Sequence, residues 1–349
     1  MINIAINGFG RIGRALARQI LTSRDCRLVL VNELDPNVDN ALYLLKYDSL
    51  YGRFPNQIDA LKSDGAEFIC NGTCFRFYTV PNSDDIPWES HQIDVLIDAT
   101  GIKANVLAAR RHIKRGVSKV VITHSPPEKD VDATIIMGVN DSSYDACKHN
   151  VLSSSICDAS AIAPVLHELQ KGWGVESCFA TTLHPWLSYQ NLLDGPVSSV
   201  SSPGHFWQDY ALGRNSVLSL IPKDTTAADA VLKVMPELKD KLDAISFRVP
   251  TNIVSASDVT VMLKNNVSRQ ELLEHFKASS IARPDIFEVE EQSLVSIDFL
   301  GTSKSVIIDA RRVKVLNERM VKMVLWYDNE WGYSSRVLDI ARMVAGRKE

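Results

Sequence analysis

Residues Ile2 to Leu16, INIAINGFGRIGRAL, set an apolar run directly before three glycines and the start of a helical pattern. Gly8, Gly10 and Gly13 satisfy G-x-G-x-x-G at that strand-to-helix junction, and each position has a mechanical reason. Gly8 permits the tight turn, Gly10 lets the backbone approach a pyrophosphate, and Gly13 lets helix and strand pack closely. The positive end of the helix then attracts phosphate. Glu33 closes the second strand candidate twenty residues beyond Gly13. There a carboxylate accepts from a ribose hydroxyl and repels an added 2′-phosphate, so NAD is expected over NADP. A glycine turn that only packs is the plain alternative. It does not account for strand, helix start and acid occurring together.

The first third alternates apolar strands with helical stretches: RLVLVN, NVDNALYLLKY, IDVLIDATG, a further helix, then KVVIT. This predicts an α/β, Rossmann-type doubly wound parallel sheet. Thr100 and Gly101 end IDVLIDATG, and ligands of open parallel sheets lie off such carboxyl ends. Taken alone, Thr100 reads equally well as a helix cap. From Trp173 the strand candidates CFATTLHPW, AISFRVP, DVTVML, LVSIDFL, SVIIDA and MVKMVLWYD follow one another with one clear helix, near Arg269 to Lys277. They predict an α+β domain on a mixed or antiparallel sheet. Val337, Ile340, Ala341 and Val344 lie at i, i+3, i+4, i+7, so a final helix docks an apolar face. The expected domains are 1–156, completed by a C-terminal helix at 332–349, and 157–331. Ser198 to His205, SSVSSPGH, reads as an exposed loop.

Bulk properties narrow the function further. A chain of 349 residues with 45% hydrophobic content supports two packed domains. Its 38 basic and 42 acidic residues leave a net charge of −4, with no general pull toward nucleic acid or anionic membrane. The basic run in AARRHIKRG reads as a solvated helix face. No apolar run reaches the length of a membrane span, and MINIAINGFG enters a strand pattern directly, so a cytoplasmic protein is expected. Cys26, Cys70, Cys74, Cys147, Cys157 and Cys178 lack paired C-x-x-C spacing, so no metal is expected. The NGT between Cys70 and Cys74 is taken as a chance glycosylation match.

INGFGRIGR at Ile6 to Arg14, YDSLYGRF at Tyr47 to Phe54, TTLHPW at Thr181 to Trp186, FRVPT at Phe247 to Thr251 and WYDNEWGYSSRV at Trp326 to Val337 carry a resemblance over nearly the whole chain. It resembles the phosphorylating glyceraldehyde-3-phosphate dehydrogenases and their erythrose-4-phosphate dehydrogenase relatives. VNEL, DIPW and VSIDF look more like the erythrose-phosphate branch. The resemblance implies that Cys157 is the catalytic cysteine and His184 its general base. Arg248 is expected to handle substrate phosphate, and Asn329 to orient the nicotinamide. Arg11, Ile12, Thr123 and Tyr333 join the expected cofactor set, and a homotetramer is implied. A thiolate at a helix start, with its pKa lowered by the dipole and an imidazole, would attack an aldehyde, pass hydride to NAD⁺ and leave a thioester.

The departures fall on phosphate handling. The family's S-C-T-T-N becomes Ile156, Cys157, Asp158, Ala159 and Ser160, which removes two anion-binding hydroxyls. A carboxylate about 4 Å from an incoming anion repels it by roughly 4 kcal/mol at an effective dielectric of 20. Asp158 also tends to raise the thiol pKa; its bland role is to face a helix N-terminus. The family's threonine and aspartate after the histidine become Leu187 and Tyr189, and the usual S-T-G becomes Asp224, Thr225 and Thr226. The 196–214 loop is longer than usual. Arg248, Asp158 and Thr225 are the expected substrate contacts, with water, positioned by Asp158, releasing the thioester. The competing reading is a non-catalytic NAD-binding paralogue with a structural or sensing role.

Overall fold

The computed structural model describes residues 1–62, 66–70, 72–196 and 209–346. The chain divides into two compact units, Met1–Ile156 with Tyr333–Glu349, and Cys157–Gly332. The serine-rich stretch Ser198 to His205, inside the long loop, lies outside the described residues.

In the first unit, β1 (Ile2–Asn7) runs into α1 (Arg11–Thr22), β2 (Cys26–Asn32) and α2 (Val38–Lys46). A small ribbon, β3 (Tyr47–Asp48) with β4 (Gly52–Arg53), precedes β5 (Ile58–Lys62), β6 (Ala66–Cys70) and β7 (Thr73–Tyr78). The alternation then resumes with β8 (Ile93–Asp98), α3 (Lys103–Lys114), β9 (Val117–Ile122), β10 (Ala133–Thr134) and β11 (Val151–Ser153). The sheet order is β10-β11-β9-β8-β1-β2-β7-β6-β5. Its first seven strands are parallel, and β6 and β5 extend it antiparallel beyond β7. Five of the six β1 side chains are buried, as an interior parallel strand covered on both faces requires.

The chain leaves β1 toward β2 on one side and returns to β8 on the other, so the topological switch point lies between β1 and β8. There Asn7 Nδ2 donates to Asp98 Oδ2 at 2.9 Å, and Asn32 Nδ2 donates to Asn7 Oδ1 at 2.8 Å. Burial pushes the Asp98 carboxyl up to about 6, against the hydrogen bonds it accepts from Thr100 and Asn7. The last helix, α7 (Trp331–Val344), completes this unit. Val337, Ile340, Ala341 and Val344 are buried, and Arg342 Nε donates to Asp25 Oδ2 at 2.8 Å.

The second unit opens with α4 (Cys157–Gly172), then β12 (Val175–Pro185), β13 (Ile221–Asp224), α5 (Ala227–Leu232), β14 (Leu242–Val249) and β15 (Ser255–Leu263). After α6 (Arg269–Ala282) come β16 (Phe287–Glu290), β17 (Val306–Asp309), β18 (Lys314–Leu316) and β19 (Met320–Tyr327). The sheet runs β13-β14-β12-β15-β19-β17-β16, with β18 also on β19. It is mixed: β12/β14 and β16/β17 are parallel, and the other pairs are antiparallel. Helix α6 begins where Ser268 and Glu271 form a capping box, and it outruns the expected end at Lys277 because no breaker intervenes before Arg283. The six-residue α5 is an addition to the expected single helix. No helix among the described residues is long and apolar enough to cross a membrane.

The glycines differ in what replacement would meet. A Cβ on Gly13 would lie 2.0 Å from the Gly8 carbonyl oxygen, whereas one on Gly10 meets nothing within 4 Å. Gly13→Ala is therefore expected to lower unfolding stability by about 1–3 kcal/mol. Gly10→Ala should change it by no more than about 0.5 kcal/mol while weakening NAD binding at least tenfold. Denaturant unfolding and dinucleotide titration of both variants check the contrast.

Candidate active site

One face of the second sheet gathers the polar residues. Parallel pairing places His184 of β12 beside Arg248 of β14, and Thr182 beside Ser246. Antiparallel pairing places Lys223 of β13 beside Ser246. Because side chains alternate along strands, Thr182, His184, Ser246, Arg248 and Lys223 share that face. Helix α4 starts at Cys157, whose Sγ lies 3.7 Å from His184 Nε2 and 3.7 Å from Asp158 Oδ1. His184 Nδ1 lies 2.7 Å from the Pro185 carbonyl, which can only accept. That bond assigns the neutral tautomer: Nδ1 carries the hydrogen, and Nε2 offers its lone pair to the thiol.

The electrostatics overturn one expectation. The Cys157 thiol is pushed well above its ordinary value, first by burial and then by the Asp158 carboxylate. Arg248 and the Asp158 backbone N–H pull the other way and are outweighed. A helix terminus contributes about 0.3–1 kcal/mol. A carboxylate at this separation opposes a thiolate by roughly 4 kcal/mol at an effective dielectric of 20. His184 is lowered to about 4, by burial and then by Arg248. Near neutral pH the pair is a thiol facing a neutral imidazole, not the thiolate that the helix start suggests.

Asp158 is buried in the first turn of α4 and accepts from the Tyr327 hydroxyl at 2.8 Å. Burial, and then Asp158 itself, pushes the Tyr327 hydroxyl well above its usual range, so it stays a donor. Ser257 Oγ lies 3.1 Å from the same hydroxyl. Asp158 therefore belongs to a buried side-chain chain, which goes beyond its bland role at the helix terminus.

Two cations share the sheet face with His184. Arg248 is 8% exposed, and its Nε is buried without a hydrogen-bond partner. Lys223 is lowered by burial and then by Arg248, while Asp158 raises it. Of the altered phosphate positions, Thr225 Oγ1 accepts from the Ala227 N–H at 3.2 Å, close to the start of α5. Leu187 supplies no polar side chain, and its N–H goes to Gln190 Oε1.

The expected cofactor residues of the first unit gather around the glycine turn and switch point. Gly8 has φ +94° and Gly101 φ +69°, backbone that favours glycine. Gly10 is the exposed N-cap of α1, with no side-chain cap and no acidic residue in the first turn, which suits a phosphate cradle. Glu33 Oε2 accepts from the Phe9 N–H at 2.6 Å, which places the carboxylate against the glycine turn. Arg11 directs its guanidinium to Asp48, while Ile12 and Gly13 continue the first turn of α1.

Thr100 donates to Asp98 Oδ1 at 2.7 Å and accepts from Asn105 Nδ2 at 2.9 Å. Its hydroxyl thus organises the loop before α3, whose N-cap is Ile102. Thr123 donates to the Asp98 carbonyl at 3.1 Å, and Tyr333 donates to the Ser155 carbonyl at 3.1 Å, tying α7 to the end of β11. In the second unit, Asn329 is buried and its Oδ1 has no hydrogen-bond partner. Asp328 caps α7: its Oδ1 accepts from the N–H groups of Glu330 and Trp331.

Comparison with known proteins assigns the scaffold. Residues 2–106 match the family model "Glyceraldehyde 3-phosphate dehydrogenase, NAD binding domain", and residues 156–329 match the corresponding C-terminal domain. The chain belongs to the glyceraldehyde-3-phosphate dehydrogenase family. It is 38% identical to glyceraldehyde-3-phosphate dehydrogenase 2 of Nostoc sp. over 348 residues, covering 99% of each chain. It is 35% identical to glyceraldehyde-3-phosphate dehydrogenase 2 of Bacillus subtilis over 347 residues, covering 99% of this chain and 97% of the relative. Family membership makes it an NAD-dependent oxidoreductase acting on an aldehyde.

Sequence reasoning missed Tyr327, Ser257, Lys223 and the Pro185 carbonyl. A signal existed for Tyr327, on the buried side of the alternating β19. Lys223 carried none until strand pairing set it beside Ser246.

The protonation state is testable by alkylation of Cys157 with iodoacetamide. With the thiol raised, the rate should keep climbing through about pH 9. In Asp158→Asn it should be about tenfold or more faster near neutral pH. A rate already on its plateau by about pH 7 would indicate a preformed thiolate–imidazolium pair.

Proposed function

We propose that the chain oxidises a small anionic aldehyde with NAD⁺ through Cys157, and that water rather than phosphate releases the acyl group. The observation that carries this reading is the 3.7 Å approach of Cys157 Sγ to a His184 Nε2 whose other nitrogen is committed to Pro185. An intact nucleophile and base favour an enzyme over a structural or sensing paralogue. The unit Met1–Ile156 with Tyr333–Glu349 would bind NAD, and Cys157–Gly332 would carry the chemistry.

In the first step Sγ adds to the aldehyde carbon while His184 Nε2 takes the thiol proton and returns it to the carbonyl oxygen. Bound NAD⁺ supplies the hydride acceptor for the resulting hemithioacetal. His184 takes the hydroxyl proton as the thioester forms. Water then attacks, Asp158 accepts its proton and later yields it to solvent, and the departing sulfur recovers a proton from His184. A carboxylic acid leaves.

The buried, unpartnered Asn329 Oδ1 fits a nicotinamide carboxamide, whose N–H groups it would accept. Gly8, Gly10 and Gly13, the first-turn N–H groups of Arg11 and Ile12, and Glu33 would hold the pyrophosphate and ribose. Thr100, Gly101, Thr123 and Tyr333 would shape the surrounding loops. Arg248 and Lys223 would bind the substrate anion, with Thr225 limited to shaping their loop. The relatives' names make glyceraldehyde 3-phosphate the first substrate to try, with erythrose 4-phosphate beside it. The family also brings an expected cytoplasmic homotetramer, read by light scattering.

Asp158 argues against phosphorolysis, because a second anion would enter beside a carboxylate. In an aldehyde screen followed by NADH formation, added phosphate should change kcat less than twofold, and the product should be the free acid. Strong stimulation by phosphate with an acyl phosphate product would contradict the reading. A hydrogen bond to a charged group contributes about 1.5–3 kcal/mol. Lys223→Ala should therefore raise KM about ten- to hundredfold and leave kcat within about threefold.

A further inference from the structure

The same three side chains that serve the thiol chemistry make a ligand set of a different kind. Cys157 Sγ, Asp158 and His184 each offer one donor atom, and these atoms all lie within 4.8 Å of one another. Zinc bonds of about 2.3 Å to sulfur and 2.0–2.1 Å to nitrogen place tetrahedral S and N ligands roughly 3.6 Å apart. Here Sγ and Nε2 are 3.7 Å apart, and Sγ and Asp158 Oδ1 are also 3.7 Å apart.

The outer contacts fit as well. A metal-bound histidine commonly donates its other ring N–H to a carbonyl or carboxylate, and a ligating carboxylate is itself hydrogen-bonded. His184 Nδ1 already donates to Pro185, and Tyr327 already donates to Asp158. Three protein ligands leave a fourth tetrahedral position for water or a substrate oxygen. Mixed sulfur, nitrogen and oxygen donors in this geometry select Zn²⁺ over Mg²⁺ or Ca²⁺, which prefer oxygen.

We infer that Cys157, Asp158 and His184 form a reversible Zn²⁺ site whose occupation silences the nucleophile. On binding, the thiol gives up its proton to solvent, sulfur, Nε2 and a carboxylate oxygen each donate to the ion, and no electron is transferred. The sulfur pair that would attack an aldehyde then belongs to the metal. This reverses the expectation of no metal drawn from cysteine spacing. Two ligands are chain neighbours, and the third arrives from the end of β12, a pattern no spacing motif describes.

The test uses the full, reduced chain with Zn²⁺ alone in equilibrium dialysis, and Co²⁺ as a spectroscopic probe. Expected are one bound zinc with about one proton released, and a thiolate-to-cobalt charge-transfer band that Cys157→Ser abolishes. Asp158→Asn should weaken zinc binding at least tenfold, and Tyr327→Phe about tenfold through the lost carboxylate contact. Circular dichroism confirms that the variants fold. A band that survives Cys157→Ser, and so belongs to exposed Cys147 or another thiol, overturns the site. Unchanged zinc affinity in folded Asp158→Asn overturns it equally. Neither readout uses aldehyde turnover, so failure here is distinct from failure of the proposed oxidation.

Discussion

The bond from the His184 Nδ1–H to the Pro185 carbonyl, 2.7 Å long at a buried strand end, decides which nitrogen the thiol meets. Were that hydrogen on Nε2, the sulfur would face a donor on the ring and keep only Asp158 Oδ1, also 3.7 Å away, as a proton acceptor. With Nδ1 committed, Nε2 is an acceptor 3.7 Å from Sγ. Parallel pairing of β12 with β14 then fixes Arg248 beside the ring, and its charge helps keep the imidazole neutral. The rest of the site follows from this one arrangement.

Charge around the thiol governs its protonation. A carboxylate next to the sulfur disfavours a resting thiolate, so in the proposed reaction the proton would move to His184 as the carbon–sulfur bond forms. The acid is not loose. Tyr327 holds one oxygen, and the buried hydroxyl cannot readily ionise beside it. Lys223 feels both this acid and Arg248, and the two cations share one sheet face with His184. The same acid would give the proposed metal site its hard oxygen donor, so the proposed loss of phosphorolysis and the proposed zinc affinity would share one cause.

Much of the fold was legible because its signals are local. The glycine turn at Gly8 to Gly13, the buried run of β1 and the apolar face of α7 each imprint a short stretch with its own periodicity or backbone requirement. Strands β5 and β6 were not legible; they form an antiparallel extension in a stretch without clean alternation. The six-residue α5 is shorter than two turns and leaves little periodic trace. In the candidate site, His184, Arg248 and Asn329 were singled out within ordered motifs, and Cys157 by resemblance in a stretch that departs from the family pattern. Their surroundings were not, because Tyr327, Lys223 and the Pro185 carbonyl meet them only through strand register. The lowered thiol pKa implied by the resemblance failed for the same reason, although the raising effect of Asp158 was legible from its place beside Cys157: helix polarity is readable along the chain, whereas burial is a property of the assembled sheet.

Nitrogen-15 NMR of the His184 ring in the reduced protein near neutral pH tests the central claim most directly. The account predicts a neutral imidazole with its hydrogen on Nδ1 and an unprotonated Nε2, charging only as the pH falls toward about 4. Two protonated nitrogens near neutrality, or a hydrogen on Nε2, would contradict it.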